Sequence, residues 1–233
     1  MTGCLILAAT PIGNLEDVST RLARVLKEAD GLYCEDTRQT RKLLQRLELS
    51  RELRAFHEHS EPAVLEQIAE RVAQGEVVVY VSDAGMPGIS DPGYELVNLA
   101  HERDLPLDVL PGPSAVINAL VLSGLPNHRF CFMGFFPAKQ EKRRDLIDEL
   151  RRIQMTSIHF ESPNRIGYCL EYLNEMIPET TVALCREMTK LHQQVLRGTP
   201  AEVARGLERE RGEFVLVVGP VVEARVEETV EQS

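Results

Sequence analysis

The sequence predicts an α/β protein with two domains, each a mostly parallel or mixed sheet with flanking helices. Short apolar runs of strand length, such as Val77–Val81, alternate with segments that carry apolar residues at helical spacing. Turns rich in glycine and proline follow several of the predicted strands. The chain has 233 residues, which is enough for two α/β domains with proper cores.

The first half alternates strand and helix without interruption. Residues 77–81 include consecutive valines and predict a strand buried on both faces, as the inner strands of parallel sheets are. Asp91 followed by Pro92 predicts the N-cap and first turn of a helix over residues 94–102. Further strands are predicted at residues 5–9, 31–34, 54–57 and 107–110. Further helices are predicted at residues 16–29, 62–73 and 115–122, and another helix includes residues 43–47.

The second half repeats the alternation after a glycine- and proline-containing linker at residues 124–127. We therefore predict one domain over residues 1–124 and another over residues 125–233. The predicted strands of the second domain are 130–136, 157–160, 182–185, 194–197 and 214–218, and its helices are 139–153, 164–176 and 200–207.

Composition limits the possible partners. The 26 basic and 36 acidic residues give a formal net charge of −10, so a polyanion must meet a local basic patch. The five cysteines are scattered and form no C-x-x-C pair, which predicts reduced thiols, no metal site and a cytoplasmic protein. No apolar run approaches the roughly 18 residues of a membrane helix, so no membrane partner is expected.

Loops of unusual composition follow the carboxyl ends of the predicted strands. The central one, residues 82–93, combines glycines, prolines and carboxylates, and ligands of α/β sheets bind beyond this edge. It matches neither a Rossmann fingerprint nor a P-loop. Asp83 directly follows an inner strand, which predicts a hydrogen-bonding role toward loop backbone or a ligand.

Charged residues also stand at other strand ends. Glu35 and Asp36 can act as acid or base or hold a substrate hydroxyl, but a helix cap explains such residues equally well. Lys190 follows a strand of the second half, in a loop that is equally consistent with an ordinary surface ion pair. His57 and His59 flank an acid, and we interpret them as surface or cleft residues because no nucleophile motif accompanies them.

The densest positive run of the chain is the basic segment, which consists of Lys139, Lys142, Arg143 and Arg144. It follows Phe135-Phe136-Pro137, so it can grip phosphates beside rings that stack on bases. The alternative is the solvated start of a helix.

Several motifs, in this order, resemble the ribosomal RNA small-subunit methyltransferases of the tetrapyrrole methylase superfamily. They are ATPIGNLEDVSTR, CEDTRQTRKLL, VSDAGMPGISDPG, LPGPSAV, FMGFFPAK, ESPNR, REMTK and RGEFVLVV, and they span nearly the whole chain. The resemblance implies two α/β domains of the tetrapyrrole methylase type with S-adenosylmethionine in the cleft between them. It also implies the 2′-hydroxyl of a cytidine in 16S ribosomal RNA as acceptor, within the 30S subunit, and a homodimer.

The resemblance assigns site residues by position. The implied cofactor contacts are Ile12, Asp83, Met86, Ser114 and Ala115, with Phe160, Met188 and Val215 in the second domain. A ribose hydroxyl needs a base, for which Asp36, Glu35 and Lys190 are the candidates. Arg38 joins the basic segment as a predicted RNA contact.

Two other functions remain open at this point. A small-molecule methyltransferase acting on a tetrapyrrole predicts an apolar, ring-sized cleft, although Thr10-Pro11 stands where porphyrin-type relatives have a glycine-richer run. A non-catalytic RNA-binding protein with the same fold predicts no binding of S-adenosylmethionine.

Overall fold

The computed structural model describes residues 3–57, 60–208 and 211–222. The chain divides into two compact units, Met1–Ser114 and Ala115–Ser233. This division falls before the predicted boundary at residue 124, because the intervening helix packs on the second sheet. Cys185 Sγ lies 3.9 Å from the carbonyl oxygen of Ala119, and Arg197 Nε donates to the carbonyl of Ser123 at 3.0 Å.

The first unit is a five-stranded sheet in the order β3-β2-β4-β1-β5, and its neighbouring strands run parallel. Its apolar runs form the strands because the inner ones are buried on both faces. The strands are β1 Cys4–Ala8, β2 Gly31–Cys34, β3 Arg54–Ala55, β4 Val77–Val81 and β5 Leu107–Leu110, and the helices are α1 Thr20–Glu28, α2 Thr37–Arg46, α3 Pro62–Ala73 and α4 Tyr94–Glu102.

The helices cover both faces of this sheet, as predicted. One apolar cluster includes Leu22 and Leu26 of α1 with Leu43 and Leu44 of α2. Another cluster, on the other face, includes residues of α3 and α4. The prediction of one helix over residues 16–29 is wrong at its start: Leu15–Asp17 is a 3₁₀ turn, and α1 begins only after Ser19, whose side chain accepts from Leu22 N–H at 3.0 Å.

The second unit is a mixed five-stranded sheet in the order β6-β7-β10-β8-β9. Strands β6 and β7 pair in parallel, and the pairs that follow are antiparallel. Alternate residues of β10 contribute to a core with the helices on one face, while α5 lies on the other face. The elements are α5 Ala115–Ser123, β6 Phe130–Phe135, α6 Gln140–Ile153, β7 Thr156–Glu161, α7 Ile166–Met176, β8 Val182–Arg186, β9 Gln194–Gly198, α8 Pro200–Gly206 and β10 Phe214–Val218.

Within the described residues, no helix is both long and apolar enough to cross a bilayer.

Candidate active site at the carboxyl edge of the first sheet

The strand order of the first unit places a topological switch point between β2 and β4. The connections that follow these neighbouring strands run in opposite directions across the sheet. The chain passes from β2 to β3 at one edge, and from β4 past β1 to β5 at the other edge. Ligands of open α/β sheets bind at such a switch point, outside the carboxyl ends of the strands. Glu35 and Asp36 follow β2 and Asp83 follows β4, so the fold places these carboxylates at the switch point.

Hydrogen bonds from backbone N–H groups to side-chain carboxylates tie the two strand ends together. Asp36 N–H donates to Asp83 Oδ1 at 3.0 Å, and Asp83 N–H donates to Glu35 Oε2 at 3.3 Å. The predicted hydrogen-bonding role of Asp83 toward loop backbone is therefore confirmed. Each of these carboxylates keeps further acceptor capacity, so the pair can also hold the hydroxyl groups of a ligand.

The carboxylates differ in the direction in which their surroundings shift their pKa. Asp36 caps α2 by accepting from Arg38 N–H, and its hydrogen bonds to the Arg38 side chain lower its pKa to about 2. Burial instead raises the pKa of Glu35 and of Asp83. Of the two residues that follow β2, Glu35 is therefore the better proton acceptor.

A further carboxylate, Asp91, belongs to the same cluster, and sequence reasoning missed this role. The prediction that Asp91 caps α4 is wrong: the N-cap is Gly93, with φ of 135°, a conformation that favours glycine. Burial raises the pKa of Asp91 to about 6, and the Glu35 carboxylate adds to this shift. The signal in the sequence for this role is the position of Asp91 in the central loop, between glycines that allow the chain to turn back.

The first and central loops are joined by a backbone bridge. Thr10 N–H donates to Gly85 O at 2.9 Å, and Gly85 N–H donates to Thr10 O at 3.1 Å. Gly85 has φ of +84°, and a Cβ built there would lie 3.3 Å from Ile12 Cγ2. The bridge thus packs Ile12 against the central loop, where Met86 is half-buried.

The turn after β5 also lies close to the first loop. A Cβ at Gly112 would come within 2.8 Å of Ala9 Cβ, so only glycine allows this approach. Ser114 ends the first unit and Ala115 begins α5 of the second. Loops after β1, β4 and β5 therefore meet at one edge, and they carry Ile12, Asp83, Met86 and Ser114.

In the second unit, the predicted cofactor residues Phe160 and Val215 are direct neighbours on paired strands, and Cys185 is the partner of Val215 on the other side. The Phe160 ring contacts the Phe132 and Phe135 rings edge-on, with centroids at 4.9 and 5.8 Å. Met188 is buried in the loop after β8. The ends of β7 and β8 lie at the same edge because both strands pair antiparallel with β10.

The loop after β8 holds Lys190 as an ammonium group. Its Nζ donates to Glu187 Oε1 at 2.9 Å and to Glu213 Oε2 at 3.0 Å. Burial opposes the charge, but these carboxylates raise the pKa of Lys190. Glu187 and Thr189 adopt left-handed conformations, with φ of 49° and 66°, which is typical of a functionally constrained loop.

The basic segment divides into one buried and several exposed residues. Arg143 is only 8 % exposed, and its side chain donates to the carbonyls of Pro137, at 2.8 Å, and of Ala138. The prediction that Arg143 contacts phosphate directly therefore needs correction, since its guanidinium faces the protein. Lys139, Lys142 and Arg144 are exposed, as is Arg38 in the first unit.

The described residues contain no cluster of His, Cys, Asp or Glu that could hold a metal ion. His57 lies within the described residues, whereas His59 lies outside them.

Residues 4–204 match the family of tetrapyrrole (corrin/porphyrin) methylases. The chain belongs to this family. It is 42 % identical over 218 residues to ribosomal RNA small subunit methyltransferase I of Halalkalibacterium halodurans, covering 93 % of this chain and 75 % of the relative. The protein of the same name from Thermotoga maritima is 39 % identical over 93 % of this chain and 98 % of its own length.

Solved structures of several other proteins share the fold. Uroporphyrin-III C-methyltransferase from Thermus thermophilus aligns over 94 % of this chain and 96 % of its own, with a TM-score of 0.63 and 22 % identity. Diphthine synthase aligns over 92 % of this chain and 88 % of its own, with a TM-score of 0.66 and 16 % identity. The predicted α/β class with two sheets and flanking helices is thus confirmed.

Proposed function

We propose that this protein is an S-adenosylmethionine-dependent methyltransferase that methylates the 2′-hydroxyl of a cytidine in 16S ribosomal RNA, in the context of the 30S subunit. The observation that carries the proposal is the near-full-length similarity to relatives named ribosomal RNA small subunit methyltransferase I. The proposal includes a cytoplasmic location and a homodimer.

The carboxyl edge of the first sheet fits the proposed cofactor. Asp83 can accept from ribose hydroxyls, and the apolar Ile12 and Met86 suit an adenine ring. The carboxylates of Glu35, Asp36, Asp83 and Asp91 produce a negative potential, which favours a sulfonium cation. Gly85 and Gly112 allow the loops of this edge to pack closely, because a Cβ there would meet Ile12 or Ala9.

The remaining implied contacts are Ser114 and Ala115 in the turn after β5, and Phe160, Met188 and Val215 in the second unit. Phe160 and Val215 are adjacent on paired strands, which supports their acting together. That the cofactor lies between the two domains stays a prediction.

When bound, S-adenosylmethionine supplies an electrophilic methyl group, which passes to the ribose oxygen as the carbon–sulfur bond breaks and its electron pair returns to sulfur. The protein must hold the acceptor hydroxyl in line and remove its proton. We assign proton removal to Glu35, because its pKa is raised and its carboxylate has acceptor capacity beyond the bond from Asp83 N–H.

The other two candidate bases suit different roles. Asp36 is held by Arg38 and has a pKa of about 2, so its affinity for a proton is low. Lys190 is an ammonium group with two carboxylate partners, so it can support its loop or attract a phosphate but does not accept a proton.

The test is methyl transfer from labelled S-adenosylmethionine to naked 16S RNA, to assembled 30S particles and to a precorrin-type tetrapyrrole. We expect transfer to RNA, with the label at one cytidine ribose. Transfer to the tetrapyrrole alone would establish the small-molecule alternative. Absence of both transfer and cofactor binding would leave a non-catalytic RNA-binding protein.

A further inference from the structure

One member of the basic segment, Arg143, is a buried cation. The Arg143 guanidinium lies over the Tyr168 ring, with Cζ 4.2 Å from the ring centroid, and 5.6 Å from the centroid of Tyr172. Within the described part of the chain it forms no ion pair with a carboxylate. Because a buried charge without a counterion is costly, a nearby anion would be stabilising.

Buried donors at this cluster have hydrogen-bonding capacity that the protein leaves unused. Arg143 Nη1 and Tyr172 Oη are both buried, and neither has a hydrogen-bond partner among the described residues. Natural interiors rarely leave such groups unpaired, so these donors need a partner that the described protein atoms do not supply. The cluster therefore has features of a binding site and not only of a helix start.

Tyr168 is the exposed part of this cluster. Its side chain belongs to α7 and is 51 % exposed, although one face of the ring packs on the Arg143 guanidinium. Arg143 is fixed in turn by the carbonyls of Pro137 and Ala138, so the ring has a rigid support. A supported, half-exposed ring can stack on a base with little loss of side-chain entropy.

Exposed cations precede and follow Arg143 in the basic segment. Lys139 is the N-cap residue of α6, and its carbonyl accepts from Arg143 N–H at 3.1 Å, so it lies one helical turn before Arg143. Arg144 directly follows Arg143 in α6, and its side chain is exposed. Lys142 Nζ forms an ion pair with Asp145 Oδ2 at 3.2 Å.

We propose that Tyr168, supported by Arg143 and flanked by Lys139 and Arg144, is a stacking site for an unpaired base of single-stranded RNA. This inference rests on the proposed function, in that it takes RNA as the substrate. An aromatic ring can stack only on a base that is out of its helix, and the flanking cations then contact the adjoining phosphates. The local charge allows this contact on a chain with a net charge of −10.

The test measures binding of a fluorescein-labelled single-stranded oligocytidylate and of the same strand paired with oligoguanylate, across a salt series. Tyr168→Leu should weaken single-strand binding by about tenfold, with an unchanged salt dependence, because no phosphate contact is lost. Tyr168→Phe should bind as the parent does, since the ring remains. Duplex binding should change little in either variant.

Two controls separate stacking from other effects. Phe130→Leu removes an exposed ring from the start of β6 and should leave single-strand affinity unchanged. The triple variant Lys139→Ala, Lys142→Ala, Arg144→Ala should reduce the salt slope by about one unit per lost phosphate contact. Thermal unfolding of each variant identifies any loss of folding.

Equal single-strand affinity of Tyr168→Leu and the parent would overturn the stacking site, as would an equal loss of duplex binding. If the folded parent binds neither RNA, the proposed ribosomal RNA function fails as well. If the parent methylates RNA while Tyr168→Leu binds and methylates equally well, only the stacking site fails.

Discussion

The bridge between the first and central loops gives a sharp test of the candidate cofactor site. We predict that Gly85→Ala weakens binding of S-adenosylmethionine more than its effect on folding explains. Gly85 has φ of +84°, and an added Cβ would meet Ile12 Cγ2 at 3.3 Å. Ile12 is a proposed cofactor contact, so its displacement acts on the ligand directly.

The expected magnitude has two parts. An alanine held in the left-handed region costs about 1–2 kcal/mol of stability. The Ile12 side chain must also shift, and an off-rotamer side chain costs about 0.5–1.5 kcal/mol, which corresponds to about a two- to tenfold rise in Kd.

Gly75→Ala is the matched control. Gly75 has φ of +95°, but no atom lies within 4 Å of an added Cβ, and it precedes β4 at the opposite edge of the sheet. Both variants should therefore lose the stability that a left-handed alanine costs, whereas only Gly85→Ala should also displace Ile12 and lose cofactor affinity.

The assay is calorimetric titration with S-adenosylmethionine, together with thermal unfolding of both variants. Parent-like affinity in Gly85→Ala would refute the placement of the cofactor against Ile12. An equal loss of affinity in Gly75→Ala would show that the effect comes from general destabilisation.

Two predictions concern the carboxylates. Glu35→Gln should lower kcat by about 10²- to 10⁴-fold with little change in cofactor affinity, whereas Asp36→Asn should lower kcat less; parent-like turnover of Glu35→Gln would exclude it as the base. The pKa of Asp91 is raised from 3.8 to about 6, so its ionised form destabilises the fold above about pH 6, and this penalty fades as pH falls toward 3.8. Asp91→Asn should therefore raise stability by about 1 kcal/mol at about pH 8, after allowance for partial exposure, and by nothing below about pH 4. Urea unfolding against the exposed Asp17→Asn control checks this, and a gain that persists at low pH would contradict it.

Local pattern was enough to predict most secondary-structure elements. The strand Val77–Val81 and the helix Tyr94–Glu102 have the predicted bounds, because an apolar run and a helical repeat are properties of the segment itself. The cap of that helix was assigned wrongly, since Asp91 and Gly93 are both plausible from composition. The backbone path, with φ of 135° at Gly93, decides between them.

The long-range contacts could not be predicted in the same way. Arg143 looks like its neighbours in the basic segment, yet α6 turns it toward the carbonyls of Pro137 and Ala138 and the ring of Tyr168. Helical spacing shows that residues share a face, but only packing shows which face is buried.

The sequence by itself determined the α/β class, the strand-end loops and the residue types that they carry. The tertiary structure decided which loops meet: β2 lies beside β4, so the bonds between Asp36 and Asp83 and between Asp83 and Glu35 can form across widely separated segments. The physical reason is that strand order depends on how helices cover both faces of the sheet, a property of the whole unit and of no single segment.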